Sequence, residues 1–143
     1  MIEIRDTRFD PWLELQNYTA GLSIKGAYGA TAVFIGSMRD LNEGDEVTAM
    51  TLEHYPGMTE KHLEKILQQA EQQWPLMDSL IIHRVGEVLP DDTIVLVAVW
   101  SAHRASAYDA NRFIMEELKS SAPFWKKETL VDGTRWVEKN TPG

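Results

Sequence analysis

The feature that most constrains the fold is an uninterrupted apolar run from Ile94 to Trp100. A strand with one face in water alternates polar and apolar residues, so a run that is apolar at every position predicts packing on both faces. The run is also far shorter than the ~18 residues that a membrane-spanning helix needs. We therefore predict that residues 93–100 form the central strand of a sheet.

Apolar residues recur at helical spacing in two other stretches, which predict an amphipathic helix over residues 59–74 and a second one that Pro123 ends. The marking residues are Leu63, Ile66, Leu67, Ala70 and Trp74 in the first, and Ala107, Ala110, Ile114 and Leu118 in the second. A shorter helix is predicted to begin at Asp10-Pro11, because Asp is a good N-cap and Pro suits the first turn, and to end at Gly21.

Other segments have the composition of strands and turns. Strands are predicted at residues 27–35, 47–54 and 80–89, a polar loop at 39–45, and a hairpin at 130–137, where Asp132-Gly133 is a turn signal. Strands and helices mix without strict alternation, so we predict an α+β fold. A chain of 143 residues is expected to form one domain over residues 1–143.

Charge and composition exclude several classes of function. The net charge of −8 argues against nucleic-acid binding, which depends on Lys and Arg. The bases are relatively concentrated in residues 101–143, which hold 7 bases and 6 acids, whereas residues 1–100 hold 7 bases and 16 acids. Cysteine is absent, which excludes disulfides and thiolate nucleophiles. We expect no metal or organic cofactor, because no metal-ligand spacing is present, and a cytoplasmic location without membrane attachment.

The pair His103-Arg104 lies where the central strand ends and the second helix begins. Helix N-termini favour anions, so the pair is a candidate clamp for a phosphate or carboxylate. The alternative is that His103 caps the helix while Arg104 pairs with a surface acid. A second pair, His83-Arg84, falls within a predicted strand and is interpreted as structural. Arg39 follows another strand and could reach an anion.

Residues 119–128 form the most unusual segment of the chain. A turn at Pro123 can bring Lys119 close to Lys126, and Phe124 and Trp125 are expected to anchor the segment in apolar surroundings. Two ammonium groups that are close together and partly desolvated lower each other's pKa, which can turn a lysine into a base or nucleophile. The alternative is that Lys119 only interacts favourably with the helix dipole.

Together these residues resemble one known family, the large (catalytic) subunit of molybdopterin synthase, over nearly the whole chain. Five ordered blocks carry the resemblance: Phe34-x-Gly36-x-x-Arg39, residues 52–58 (Leu-Glu-His-Tyr-Pro-Gly-Met), residues 83–87 (His-Arg-Val-Gly-Glu), residues 101–104 (Ser-Ala-His-Arg) and residues 123–128 (Pro-Phe-Trp-Lys-Lys-Glu). No single block is specific, but five in order with matching separations are.

The resemblance implies an α/β hammerhead-type fold and a homodimer within a heterotetramer. Each large subunit would bind a small ubiquitin-like sulfur carrier that ends in Gly-Gly with a C-terminal thiocarboxylate. The enzyme would transfer two sulfurs to cyclic pyranopterin monophosphate and so form the dithiolene of molybdopterin. A chain without cysteine suits this chemistry, because the sulfur arrives on the partner.

The resemblance also implies roles for individual residues. Lys119 and Lys126 would be catalytic, and the remaining positions would bind the substrate or form the pocket wall. These positions are Phe34, Ser37, Met38, Arg39, His103, Arg104, Met115, Lys127 and Glu128. Two other functions compete with the sulfurtransferase. A non-catalytic docking module for a ubiquitin-like tail would not need both lysines, and a phosphohydrolase would need a metal site or paired carboxylates.

Overall fold

The structure, a computed structural model, describes residues 1–138. In chain order its elements are β1 (Ile2–Arg5), α1 (Pro11–Ala20), β2 (Ala30–Ser37), β3 (Leu41–Asn42), β4 (Asp45–His54), α2 (Met58–Gln73), β5 (Leu76–Arg84), β6 (Gly86–Val88), β7 (Thr93–Ser101), α3 (Arg104–Ser121), β8 (Phe124–Leu130) and β9 (Gly133–Trp136). This mixture of helices and strands confirms the predicted α+β class. No helix in the described part of the chain is long and apolar enough to cross a membrane.

The first sheet has the strand order β1-β5-β7-β2, with β1 parallel to β5 and the other pairs antiparallel. The predicted central strand is confirmed as β7, because β5 and β2 flank it. Its side chains are buried on both faces. Leu96, Ala98 and Trp100 pack towards α1, whereas Val95, Val97 and Val99 join the main core with α2 and α3.

The second sheet is antiparallel and has the order β3-β4-β8-β9, with β6 also paired to β4. Val47, Met50 and Leu52 of β4 belong to the same core cluster as β7 and the two long helices. The two sheets therefore share one core, and the C-terminal end of α3 leads directly into β8.

The helices follow the predicted patterns. Asp10 caps α1 by accepting hydrogen bonds from the backbone N–H groups of Trp12 (2.9 Å) and Leu13 (3.2 Å). The helix predicted over residues 59–74 is α2, which ends at Gln73, one residue before the predicted end. The helix predicted to end at Pro123 is α3, whose buried residues have the predicted helical spacing and fix which side of the helix faces the sheets.

Three predicted segments differ from the structure. The strand expected over residues 80–89 is divided between the two sheets, because the chain turns at Gly86, where φ is +84°. The loop expected at residues 39–45 contains the short strand β3 and a tight turn with positive φ at Glu43 and Gly44. Residues 124–128, expected only as an anchored segment, are part of strand β8.

Asn111 connects α3 to the first sheet. Its buried side-chain amide donates hydrogen bonds to the backbone carbonyls of Ala32 in β2 (3.0 Å) and Val97 in β7 (3.1 Å). We expect Asn111→Ala to lower the free energy of unfolding by about 1–3 kcal/mol, because two buried hydrogen bonds lose their donor. Urea denaturation would measure the change.

The matched control is Asn17→Ala on the exposed face of α1. Both substitutions place alanine in a helix, and alanine has the higher helix propensity, so the control isolates the hydrogen bonds. Equal effects of the two substitutions would show that Asn111 does not connect the helix to the sheet.

Candidate active site

A cavity of about 420 Å³ opens where the end of β2, the end of α3 and the strand β8 meet. Both lysines of the predicted site contribute to its wall. The lining residues are Phe34, Gly36, Ser37, Met38, Arg39, Leu41, Asn42, Met50, Ile94, Val95, Lys119, Lys126, Glu128 and Val137. Seven positions implied by the resemblance are thus brought together: Phe34, Ser37, Met38, Arg39, Lys119, Lys126 and Glu128.

The segment Ser37 to Arg39 is held in place by the turn that precedes β7. The backbone N–H of Met38 donates to the carbonyl of Asp92, and its carbonyl accepts from the N–H of Asp91, each at 2.9 Å. The Asp92 carboxylate accepts from the N–H of Leu89 (3.1 Å) and so fixes the turn itself. Met38 is buried by these contacts, whereas Arg39 stays exposed at the cavity.

Alternation along β8 directs its side chains to opposite sides. Lys126 and Glu128 point into the cavity, and Phe124, on the same face, stacks on His83 with ring centroids 3.8 Å apart. Trp125 points the other way and is 48% exposed, so the prediction that it is buried in apolar surroundings is wrong. The strand periodicity of two separates these neighbouring aromatic residues.

The two lysines interact directly. Burial, the charge of Lys119 and a hydrogen bond with Lys119 together lower the pKa of Lys126 to about 7. The Glu128 carboxylate acts in the opposite direction and raises it. Near neutral pH, a substantial fraction of Lys126 is therefore a neutral amine that can accept a proton.

His83 lies near both lysines and is neutral near pH 7. Burial lowers its pKa to about 3, and the nearby charges of Lys119 and Lys126 act in the same direction. Its Nδ1 lies 2.8 Å from the carbonyl oxygen of Arg84. A carbonyl oxygen can only accept, so Nδ1 carries the proton. The pair His83-Arg84 makes structural contacts as predicted, and His83 also lies close to both lysines.

The turn between α3 and β8 is held by a fully buried threonine. Thr59 donates through Oγ1 to the carbonyl of Pro123 (3.1 Å) and accepts from the N–H of Tyr55 (3.0 Å). The start of α2 thereby fixes the turn that places Lys119 beside Lys126. Sequence analysis did not identify Thr59, because its partner is 64 residues away in the chain.

Four positions implied by the resemblance do not line the cavity. Met115 is buried one turn before Lys119, and Lys127 points away, with its ammonium 5.5 Å from the ring centre of Trp136. His103 and Arg104 are exposed at the N-terminus of α3. With a rise of 1.5 Å per residue, they lie roughly 22 Å from Lys119 along the helix axis. The predicted clamp and the lysines are therefore separate within one chain.

Sequence analysis also missed a polar cluster at the cavity edge. The buried Glu128 carboxylate accepts from the side-chain amide of Asn42 (3.0 Å) and from Nε of Arg135 (2.9 Å). No local pattern links these residues, which come from three different strands. Within residues 1–138, no group of three His, Cys, Asp or Glu side chains is placed to hold a metal ion.

Comparisons with known proteins agree on one family. A family model described as "MoaE protein" matches residues 8–121. The chain is 52% identical over 137 residues to the molybdopterin synthase catalytic subunit of Ralstonia nicotianae, covering 96% of this chain and 76% of that protein. The solved molybdopterin biosynthesis MoaE protein from Burkholderia ambifaria is 47% identical, with a TM-score of 0.81 and coverage of 100% and 92%.

A more distant structure has the same fold. It is the complex of subunits 1 and 2 of the molybdopterin-converting factor from Helicobacter pylori, with a TM-score of 0.81 at 20% identity. The similarity covers 99% of this chain and 93% of that one. At this identity, the likeness shows the fold alone.

The low pKa of Lys126 implies that its charge destabilises the folded chain. Below pH 7 the lysine is protonated in both states and the whole penalty is present; as the pH rises from about 7 to 10.5, the penalty disappears. Lys126→Met is therefore expected to raise the free energy of unfolding by on the order of 2–4 kcal/mol near pH 6, and by much less near pH 10.

Urea denaturation at the two pH values would measure this difference. The matched control is Lys127→Met, which removes the neighbouring ammonium outside the cavity. A gain that is the same at both pH values would contradict the buried charge as its cause.

Proposed function

The chain belongs to the MoaE family of molybdopterin synthase catalytic subunits, and we propose that its cavity transfers sulfur from a carrier thiocarboxylate to cyclic pyranopterin monophosphate. The product is the dithiolene of molybdopterin. The observation that carries the proposal is the contact of two lysines in one cavity wall, one with a pKa of about 7. A site that only docks a partner gains nothing from holding two cations together at a cost in stability.

The lysines suit the hydrolytic half of the transfer. Once the thiocarboxylate sulfur is bonded to the substrate, the carrier tail is a thioester. Water adds to its carbonyl carbon, the carbon–sulfur bond breaks, the sulfur stays on the substrate and the carrier leaves with a carboxylate. Neutral Lys126 takes the proton of the attacking water, and Lys119 stabilises the oxyanion that forms on the carbonyl. Two such cycles deliver the two sulfurs.

Arg39 is the cavity's candidate for the substrate phosphate. It is exposed at the rim of the cavity. Two hydrogen bonds fix the backbone of its neighbour Met38, and so fix the point from which the Arg39 side chain extends. A guanidinium binds phosphate through two parallel charge-assisted hydrogen bonds. Ser37 and the ring of Phe34 lie beside it in the same wall and would contact the pterin.

The carrier is proposed to be a small ubiquitin-like protein with a C-terminal Gly-Gly thiocarboxylate. The Helicobacter pylori structure of the same fold is a complex of two subunits, which supports a partner of this kind. Glycines suit the carrier tail, because a chain without side chains can reach a carbonyl into a narrow cavity. Lys126 faces the interior of that cavity and would meet the carbonyl at its end.

We further propose that His103 and Arg104 serve the cavity of a second copy of the chain. They are exposed and roughly 22 Å from Lys119 within one chain, so they cannot reach a substrate phosphate bound beside Lys119 of their own copy. A homodimer, which the resemblance implies, would allow each copy to complete the other's site. Two catalytic chains and two carriers would then make the heterotetramer.

The catalytic proposal is tested with the reconstituted complex of chain, thiocarboxylated carrier and cyclic pyranopterin monophosphate. Lys119→Ala and Lys126→Ala are each expected to slow dithiolene formation by about 10²–10⁴-fold, as for a lost acid–base or oxyanion partner. Lys65→Ala, at an exposed position of α2, is the control. The wild-type rate should rise with pH through about 7, as Lys126 loses its proton.

Lys126→Arg separates a base from a fixed charge, because a guanidinium keeps its proton. Retention of most activity by this variant would rule out Lys126 as the base. If every lysine variant binds the carrier tightly and turns over as fast as the wild type, the lysines are not catalytic, and the docking module is favoured.

The shared site is tested by mixing two variants that are each impaired, Lys119→Ala and Arg104→Ala. If each copy completes the other's cavity, a mixed dimer contains one intact site, so random reassociation should restore up to roughly a quarter of wild-type activity. If both residues served one cavity within a chain, no mixed dimer would contain an intact site. Activity that stays at the level of the separate variants would therefore contradict the proposal.

A further inference from the structure

Arg135 of β9 bonds to three neighbouring segments at the edge of the cavity. Its Nε donates to Glu128 Oε1 at 2.9 Å, and its two terminal nitrogens reach Asp45 Oδ2 (2.7 Å) and the carbonyl of Asn42 (2.9 Å). Asn42 in turn donates from its amide to both oxygens of the Glu128 carboxylate, at 3.0 and 3.2 Å. Within residues 1–138, the hydrogen-bond partners of the Glu128 carboxylate are Asn42 and Arg135, and both lie on the side of β3 and β9.

Glu128 would ordinarily be expected to pair with Lys126. The two residues are two apart on β8, so their side chains emerge on the same face, and Glu128 is only 5% exposed. A buried carboxylate next to an ammonium normally gains most by forming an ion pair. Among residues 1–138, however, the ion pair of Glu128 is with Arg135, and none joins it to Lys126.

We propose that Arg135 is a positioning residue that turns the Glu128 carboxylate away from Lys126 and so leaves this lysine free to accept a proton. The inference rests on the proposed function, because it explains how that function's base is kept available. Arg135 is not among the residues that line the cavity of Lys119 and Lys126. It acts through Glu128, whose carboxylate it shares with Asn42.

Other charged or titratable groups lie near Lys126, each on a different element. Lys119 of α3 and His83 of β5 interact with it, Arg39 after β2 lines the same cavity, and His54 of β4 acts on His83. Burial and Lys119 lower the pKa of Lys126, and Glu128 is the group that raises it. A Glu128 carboxylate released from Arg135 raises the pKa of Lys126 more strongly. The loss of the positive charge of Arg135 also raises this pKa. Both effects hold Lys126 in its protonated form to higher pH.

The test measures the titration of Lys126 directly, in the chain alone, by NMR of carbon-13-labelled lysine, with the Lys126 signal identified from its loss in Lys126→Arg. Arg135→Gln is expected to shift the titration upward by about one pH unit or more, the size expected for a newly available opposite charge. The pH–rate profile of the reconstituted complex should move with it. Asp45→Asn removes the ion pair between Asp45 and Arg135 but keeps the pair between Arg135 and Glu128. The titration of Lys126 should therefore stay at its wild-type position.

The double variant Arg135→Gln/Glu128→Gln separates the released carboxylate from the lost guanidinium. With the carboxylate removed, the titration should return to the wild-type position or below it. If it stays raised, the charge of Arg135 acts directly on Lys126 and the positioning role is wrong. An unchanged titration in Arg135→Gln overturns the proposal outright.

Two further outcomes remain interpretable. If Arg135→Gln does not fold, Arg135→Lys keeps the charge but loses the forked geometry, and a smaller upward shift supports the proposal, whereas no shift overturns it. If the NMR titration moves but the pH–rate profile does not, the positioning role stands and the assignment of Lys126 as the base fails.

Discussion

Lys119 and Lys126 place two ammonium groups side by side in a cavity wall, where they lose part of their hydration. The packing and strand pairing of the fold hold the two side chains together against their repulsion. Like charges at short range are unfavourable, and partial burial strengthens the effect. The apolar face of α3, with Ile114 and Leu118 in the core, fixes one lysine. Pairing of β8 with β4 fixes the other. The short turn at Pro123, held by Thr59, joins the two supports.

The neutral histidine near the lysines matters as much as the charges of the site. His83 stacks on Phe124 and is neutral, so it packs near the lysines without adding a third positive charge. Its Nδ1 proton is committed to the Arg84 carbonyl, which fixes the ring orientation. A protonated imidazole at this position would raise the repulsion that the fold already opposes. The deep burial that lowers the pKa of His83 is therefore part of what makes the lysine pair possible.

The sequence predicts the parts of this structure whose signals are local. The apolar run at Ile94 to Trp100 identifies β7, and helical periodicity identifies α2 and α3, because the core selects these side chains at regular intervals. The predicted hairpin at residues 130–137 is the pair β8–β9, but the earlier part of β8 was missed because Lys126 and Glu128 occupy its inward-facing positions, where an ordinary strand has apolar residues. The charged residues of the cavity thus replace the apolar pattern by which the strand would be recognised. The contact of Asn42 with Glu128 was missed because 86 residues separate them.

His103-Arg104 and Lys119 lie at opposite ends of α3, and the helix dipole acts differently on the cations at each end. Lys119, in the last turn, meets the negative end of the helix dipole and is stabilised there. Arg104, in the first turn, meets the positive end, and that turn contains no acidic residue to compensate it. His103 provides no side-chain cap at this terminus. Cationic side chains at a positive helix end are unfavourable by themselves, and a bound anion would make them favourable. Under the proposed roles, the same helix presents the oxyanion-stabilising Lys119 to one cavity at its C-terminus and a phosphate clamp to another cavity at its N-terminus.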